Sequence, residues 1–367
     1  MKVLAICRGA PGLGRVVPSL ALTQALAESV PVTARFASYQ AGARYLAARG
    51  EDVVDLGSPD GLFIDSVCPQ ALRVAELAEQ ERPELVLIDG EFFLPATLAH
   101  LDVPVVYLAN PHDLDGEPTT FRRVNRLLLA HADAVLISSL SCARPAPRPH
   151  LVPGTRCLEV PAITKDIPLG HYPCSGQARV LVSTGGGSLG ADPGFRAATD
   201  AALACVLGVL AEQVTRGRVG KVTVVLGADA RLAGTWRHPP GWLQVIAGPA
   251  ELAGMYPHHD LLIARAGRNA TAEAAYCGIP AILLPVTADP HRGGEQASNA
   301  AALAHLPGIF PAREWRDTAA LRRALRRALS YARREPRVIG RRGNGSAAAF
   351  VAGLVSSARA RHSVATA

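Results

Sequence analysis

Twice along this chain, short apolar runs alternate with amphipathic helical stretches, which is the sequence form of a parallel sheet covered by helices. The first series sets apolar runs at 3–8, 31–37, 52–56, 84–89, 104–109 and 133–138, with helical patterns at 16–28, 39–49, 70–81, 92–101 and 119–131. The second sets strands at 178–183, 221–226, 243–247, 260–264, 280–284 and 308–310, with helices at 194–216, 249–256, 270–277 and 295–305. Between them, from Cys142 to Gly176, the pattern fails in the proline-rich run ARPAPRPHLVPG, as a connector should. The reading is therefore α/β: a Rossmann-like domain over 1–145, a linker over 146–176, a second Rossmann-like domain over 177–335, and a helix and tail over 336–367. A late basic helix could return to cover the first domain. No short sequence period recurs, so the halves share layout and not a solenoid repeat.

A length of 367 residues fits two such domains, and 49% hydrophobic against 19% charged residues argues for buried cores. The cysteines at 7, 68, 142, 157, 174, 205 and 277 form no C-x-x-C pair, so neither a zinc cage nor a disulfide framework is expected and a reduced compartment is. The opening MKVLAICRGAPG breaks into glycine and proline too early for a signal segment, and the apolar stretch 200–214 is interrupted by Asp200, Glu212 and Gln213. A cytoplasmic protein is expected, soluble or peripheral to the inner face of the cell membrane. The net charge is +7, yet the only lysines are Lys2, Lys165 and Lys221. No nucleic-acid partner is expected; the arginine-rich run 321–342 reads either as a solvated helix face or as a contact for anionic lipid.

Parallel sheets bind ligands at the carboxyl ends of their strands, and each series has a glycine-rich turn after its first strand. The first carries Gly9, Gly12 and Gly14 before a helix near Val16. It departs from the G-x-G-x-x-G fingerprint and no acidic residue ends the run 31–37, which argues against a nicotinamide dehydrogenase. The second, STGGGSLG, carries Gly185, Gly186, Gly187 and Ser188; it could cradle phosphate, pack against sugar, or be a tight turn. Neither has the lysine of a P-loop.

The best phosphate candidate is DLLIARAGRNATAEAAYCGIPAILLPV, a strand, a turn at Gly267 and a helix that Asn269 could cap. Amides of that helix's first turn would favour a diphosphate by ~0.3 to 1 kcal/mol when exposed and by up to ~2 when partly buried. Arg265 and Arg268 could add full charges, and Glu273, one turn further, could accept ribose hydroxyl protons. In PVTADPHRGGEQASNAAAL, Asp289, Glu295, Gln296 and Asn299 suit a neutral sugar, or else cap a helix at Glu295. Candidates for a general base follow two strands of the first series: Asp89 and Glu91, then His112 and Asp113. The cluster His258, His259 and Asp260 runs straight into a strand and is not expected to hold a metal.

The segments R-A-G-R-N-A-T-A-E, G-I-P-A-I-L-L-P and E-Q-A-S-N-A resemble the donor-binding signature of GT-B glycosyltransferases, especially the peptidoglycan N-acetylglucosaminyltransferase (MurG) and its relatives. G-L-G-R-V-V-P at 12–18 resembles that family's G-x-G-H-x-x-P loop, which implies an acceptor-side role for Gly12, Gly14 and Arg15. ELVLIDGEFFLPATLAHLDVPVVYLANPH resembles the D-x-E-P and N-Q-H stretch of related glycosyltransferases. The resemblance implies two Rossmann-like domains facing a central cleft, with Gly267 to Asn269 on the diphosphate, Glu273 on the ribose, Glu295 and Gln296 on the sugar, and the segment of Pro249 and Leu252 near the base. It departs from the family at Arg15, where relatives carry histidine, in a longer loop from Pro285 to Glu295, and at Gly248-Pro249, where proline lacks the N–H that relatives offer the base.

The implied function is transfer of a hexose or N-acetylhexosamine from a nucleotide diphosphate, with UDP the expected nucleotide, to a hydroxyl of a small-molecule, glycan or lipid-linked acceptor. Inversion is expected, without a metal or other cofactor. A UDP-sugar 2-epimerase and a non-catalytic sugar-nucleotide-binding protein are the alternatives.

Overall fold

The structure, a computed structural model, describes residues 1–10, 12–57, 63–114, 119–169, 176–185, 193–227, 232, 236, 238–247, 252–286, 290–331 and 342–365. The chain divides into two compact units, one of residues 1–165 with 342–367 and one of residues 166–341.

In the first unit the strands are β1 (Lys2–Cys7), β2 (Thr33–Ser38), β3 (Val53–Asp55), β4 (Leu85–Asp89), β5 (Val105–Ala109), β6 (Ala134–Ser139), β7 (Ala146–Pro147) and β8 (Arg156–Pro161). Between them run α1 (Val16–Ala27), α2 (Gln40–Ala47), α3 (Phe63–Glu81), α4 (Leu94–Thr97), α5 (Pro111–Leu114) and α6 (Thr120–Leu129). The sheet order is β3-β2-β1-β4-β5-β6-β8-β7, parallel except for the antiparallel edge strand β7. Every residue of β4, β5 and β6 is buried, as continuous apolar runs are when helices cover both faces. The pleat divides β1 between two cores: Val3, Ala5 and Cys7 pack with α1, while Leu4 and Ile6 pack with Ala71, Val74 and Ala78 of α3.

The second unit repeats the plan with β9 (Ala178–Ser183), β10 (Val219–Val225), β11 (Leu243–Ile246), β12 (Leu261–Arg265), β13 (Ala281–Leu284) and β14 (Ile309–Pro311). Its helices are α7 (Pro193–Thr215), α8 (Arg268–Cys277), α9 (Pro290–Ala302) and α10 (Thr318–Ser330), with a 3₁₀ segment over Ala253–His258. The sheet is wholly parallel in the order β11-β10-β9-β12-β13-β14. Residues 194–215 of α7 are long and apolar enough to cross a membrane, but Ala198, Ala202, Leu203, Val206, Leu207 and Leu210 fill this unit's core. The basic helix α10 likewise buries Leu321, Leu325 and Ala328, and its Arg322 pairs with Glu212.

The last helix, α11 (Asn344–Ala365), belongs to the first unit and packs on α1. Asn344 fastens its start: Oδ1 accepts from Thr164 N at 3.1 Å and Nδ2 donates to Thr164 O at 2.7 Å. This cover explains why α1 is buried almost all round and why its sequence lacks a polar stripe. Leu22 and Leu26 of α1 are 0% exposed, and truncating such residues to alanine costs ~2 to 5 kcal/mol.

Four local expectations change. Residues 146–161, read as linker, supply β7 and β8; Cys157 and Val160 enter the cores, and Arg148 Nη1 meets Glu159 Oε2 at 2.5 Å across the pair. The helix expected over 92–101 is regular only at Leu94–Thr97 and then tightens into i→i+3 turns at Ala99 and Leu101. Helix α8 opens at Arg268 with Gly267 as its N-cap and no side-chain cap, so Asn269 is its second residue. Helix α9 starts at Pro290, ahead of Glu295, in keeping with proline's fit to a first helical position.

Candidate functional site

Both sheets reverse strand order beside their first strand, between β1 and β4 and between β9 and β12. The crevice beyond the carboxyl ends of such strands is where doubly wound sheets take ligands, and the expected residues gather at these two places.

In the first unit, Arg15 stands at the start of α1 and spans two carboxylates from neighbouring strands. Its Nη1 donates to Asp89 Oδ1 at 3.2 Å and its Nη2 to Asp113 Oδ2 at 2.7 Å. Asp89 is 0% exposed and also accepts from Ser19 Oγ at 3.5 Å, and Asp113 Oδ2 accepts from Asn110 N at 3.1 Å. Burial opposes the Arg15 charge, but Asp113 and Asp89 outweigh it and hold the guanidinium pKa well above its ordinary value. Gly90, at φ +99°, makes the turn out of β4; a Cβ there would lie 2.7 Å from Arg8 Cβ and 3.1 Å from Arg15 Cγ.

Glu91 follows, and its Oε1 accepts from Tyr39 Oη at 2.7 Å and Arg8 Nε at 3.3 Å. Burial, then the Glu91 charge, push the Tyr39 phenol far up, so it stays a donor. His112 is half-buried on α5, its carbonyl accepting from Arg122 Nε at 3.2 Å. Gly12 is half-buried and Gly14 exposed in the turn ahead of Arg15.

In the second unit, Ser183 pairs with Ala264, which brings Gly185 beside the end of β12. Gly185 has φ +86°, and a Cβ on it would collide with the Arg265 guanidinium, which lies 4.5 Å from the Phe195 ring centroid. The chain then turns at Gly267 into α8; nothing stands within 4 Å of where a Gly267 Cβ would be. The start of α8 thus has open space beside Gly267, with Arg268 buried at the helix start. Asn299 Nδ2 donates to Ala266 O at 3.0 Å, and Gln296 Oε1 accepts from Val286 N at 3.0 Å, so α9 is tied to the ends of β12 and β13. Glu295 is half-buried beside them. Glu273 is 2% exposed and accepts from Tyr256 Oη at 2.6 Å. Leu252 opens the 3₁₀ segment, and its carbonyl accepts from Met255 N at 2.9 Å. Gly186, Gly187, Ser188, Pro249 and Asp289 lie outside the described residues.

The other histidine cluster is structural. His259 Nδ1 meets Met255 O at 2.8 Å and Nε2 meets Thr223 Oγ1 at 3.1 Å, while Asp260 accepts from Arg179 N at 2.8 Å. Among the described residues no group of His, Cys, Asp and Glu is placed to hold a metal ion. Sequence reasoning did not find Arg8, Tyr39 and Tyr256. Arg8, directly after a buried strand, carried a usable signal; the two tyrosines reach their carboxylates from the N-cap of α2 and from the 3₁₀ segment, elements remote from them in sequence.

Two doubly wound units, each reversing its strand order beside its first strand, give the architecture of GT-B glycosyltransferases. Similarities to known proteins agree. Residues 204–330 match the glycosyltransferase family 28 C-terminal domain. Over 318 residues the chain is 30% identical to a UDP-N-acetylglucosamine--N-acetylmuramyl-(pentapeptide) pyrophosphoryl-undecaprenol N-acetylglucosamine transferase of Parasynechococcus marenigrum (strain WH8102), covering 80% of this chain and 79% of that protein. The structure of the spinosyn rhamnosyltransferase SpnG with thymidine diphosphate superposes with a TM-score of 0.60 at 18% identity, covering 99% of this chain and 100% of that one. Acinetobacter baumannii MurG superposes at 0.53 and 16% identity, covering 97% and 100%. The chain belongs to the MurG-type family of glycosyltransferases, and it transfers a sugar from a nucleotide-sugar donor.

Proposed function

We propose that the protein moves a hexose or N-acetylhexosamine from UDP to an acceptor hydroxyl with inversion, using no metal or other cofactor. The observation that carries the donor half is the β12–Gly267–α8 turn, where helix amides open onto free space between Arg265 and Arg268. Preorganised amides and guanidinium groups stabilise charge as it develops on a leaving diphosphate, the task a divalent cation performs elsewhere. Glu273 accepts from the pentose. The amide N–H₂ of Gln296, whose oxygen is engaged by Val286 N, and Glu295 read the sugar.

The proposal extends to the acceptor's surroundings. Helix α6 exposes Phe121, Val124 and Leu127 at 52%, 46% and 67%, with Arg122, Arg123 and Arg126 interleaved among them. Apolar side chains flanked by arginines suit the headgroup region of an anionic bilayer. This supports work at the inner face of the cytoplasmic membrane, with a lipid-linked or amphiphilic acceptor, and it moves the membrane contact from the run 321–342 to α6.

Calorimetric titration with UDP, GDP, dTDP and their sugars tests the donor half. Saturable UDP binding that Glu273→Ala weakens is expected; a protein that binds none of them would refute it. Retained anomeric configuration in the product would exclude direct displacement. Co-sedimentation with phosphatidylglycerol vesicles, lost in Phe121→Ser/Leu127→Ser, tests the membrane contact.

A further inference from the structure

We infer that Glu91 is the general base that deprotonates the acceptor hydroxyl, an assignment resting on the transfer function above. A base needs an unoccupied lone pair that an incoming hydroxyl can reach. Arginine cannot serve, and Arg15 pairs with both aspartates beside it. Asp89 is 0% exposed, with one oxygen on Arg15 and the other on Ser19, and Asp113 is held to Arg15 at 2.7 Å, closer than Glu91 is to Arg8 at 3.3 Å, through the oxygen that also accepts from Asn110 N. His112 stands on α5 after β5, one strand further from the reversal of strand order than Glu91, which directly follows β4.

Glu91 is built differently. Tyr39 Oη and Arg8 Nε both donate to Oε1, which fixes the carboxylate from one side. Oε2 makes no hydrogen bond among the described residues, yet it is not one of the buried polar atoms left unsatisfied, so it meets solvent. The side chain keeps 11% of its surface exposed. The left-handed turn at Gly90 carries Glu91 out of β4, with Arg8 and Arg15 packed so close to Gly90 that a Cβ there would collide with Arg8.

The step balances without a further reactant. A lone pair of the acceptor oxygen forms the bond to the anomeric carbon, and that hydroxyl's proton passes to Glu91 Oε2. The bond from the anomeric carbon to the diphosphate breaks with its electron pair on the diphosphate oxygen. Glu91, now a carboxylic acid, returns its proton to water.

UDP release from UDP-N-acetylglucosamine tests this, with water as acceptor and, separately, with 4-nitrophenol at a mildly alkaline pH where the phenol is already ionised. Glu91→Gln is expected to slow water-dependent release by about a hundredfold or more, with UDP affinity within about twofold and transfer to 4-nitrophenolate within about fivefold of wild type. Tyr39→Phe, which keeps the carboxylate but loosens it, should fall between. Unchanged release by Glu91→Gln overturns the assignment. An equal loss with both acceptors also overturns it, because a merely structural residue would act that way. UDP binding by a wild type that releases UDP with neither acceptor would overturn it too, whereas absent UDP binding would instead remove the donor reading beneath it.

Discussion

Tyr256 donates its phenolic proton to Glu273 Oε2 at 2.6 Å, with the two residues 0% and 2% exposed. Burial, then the Glu273 charge, drive the phenol's pKa well up, so it remains a donor at any working pH. The bond joins the segment after Leu252, which the family resemblance sets near the nucleoside base, to the helix proposed above to read the pentose. Tyr256→Phe removes a hydrogen bond to a charged group, worth ~1.5 to 3 kcal/mol, and should lower the melting temperature by ~2 to 4 °C per kcal/mol. It should also reduce the preference for UDP over 2′-deoxyuridine diphosphate, since an unanchored carboxylate reads a diol poorly. Titration with both nucleotides would show an unaltered ratio if Tyr256 served stability alone.

Removing Arg15 leaves two buried carboxylates facing each other without their cation. Arg15→Met should destabilise the protein by ~3 to 5 kcal/mol, while adding Asp89→Asn and Asp113→Asn should recover much of that loss. Urea unfolding of the single and triple variants measures both. Equal stability of Arg15→Met and wild type would mean that the bridge contributes nothing.

At Gly185 two costs combine, a backbone at φ +86° and a Cβ that collides with the Arg265 guanidinium. Gly185→Ala should cost more than the ~0.4 to 1 kcal/mol that glycine replacement gains at a compatible site. By shifting Arg265 it should weaken UDP binding as well. Normal UDP affinity in a folded variant would separate Arg265 from the diphosphate.

Much of this was legible in the sequence because the strands of a doubly wound sheet announce themselves as buried runs; LLIAR of β12 and AILL of β13 stand where their apolar character sets them. Gly267 and Glu273 were legible for a related reason, since a strand, a glycine and a helix start fix their spacing. Strand β8 and the edge strand β7 were hidden, because Pro147 and its neighbours read as connector, whereas β8 pairs with β6. The bonds Tyr256–Glu273, Tyr39–Glu91 and Arg15–Asp113 join residues 17, 52 and 98 positions apart. No local pattern encodes such partners; tertiary packing makes them.

His259 gives the second unit a pH response of definite sign. Burial, foremost, depresses its pKa below the model-peptide value of ~6.5. A histidine kept neutral by folding contributes stability that is fully present above the unfolded pKa and is lost as pH falls through the folded one. Stability should therefore decline below pH ~6.5, by at most ~1.4 kcal/mol per pH unit from this residue. His259→Asn should flatten that decline while lowering stability at neutral pH, because the bonds to Met255 O and Thr223 Oγ1 are disturbed. Equal acid slopes in urea unfolding would assign the response to other groups.

The return of α11 to the first unit has a consequence for how the molecule is made. The ribosome finishes the strands of that unit early, yet the helix that shields Leu22 and Leu26 emerges only after the whole second unit has been synthesised. The nascent N-terminal half must wait with one flank of its core uncovered. A chain stopped just before Asn344 would keep the whole second unit and still leave Leu22 and Leu26 without the helix that covers them.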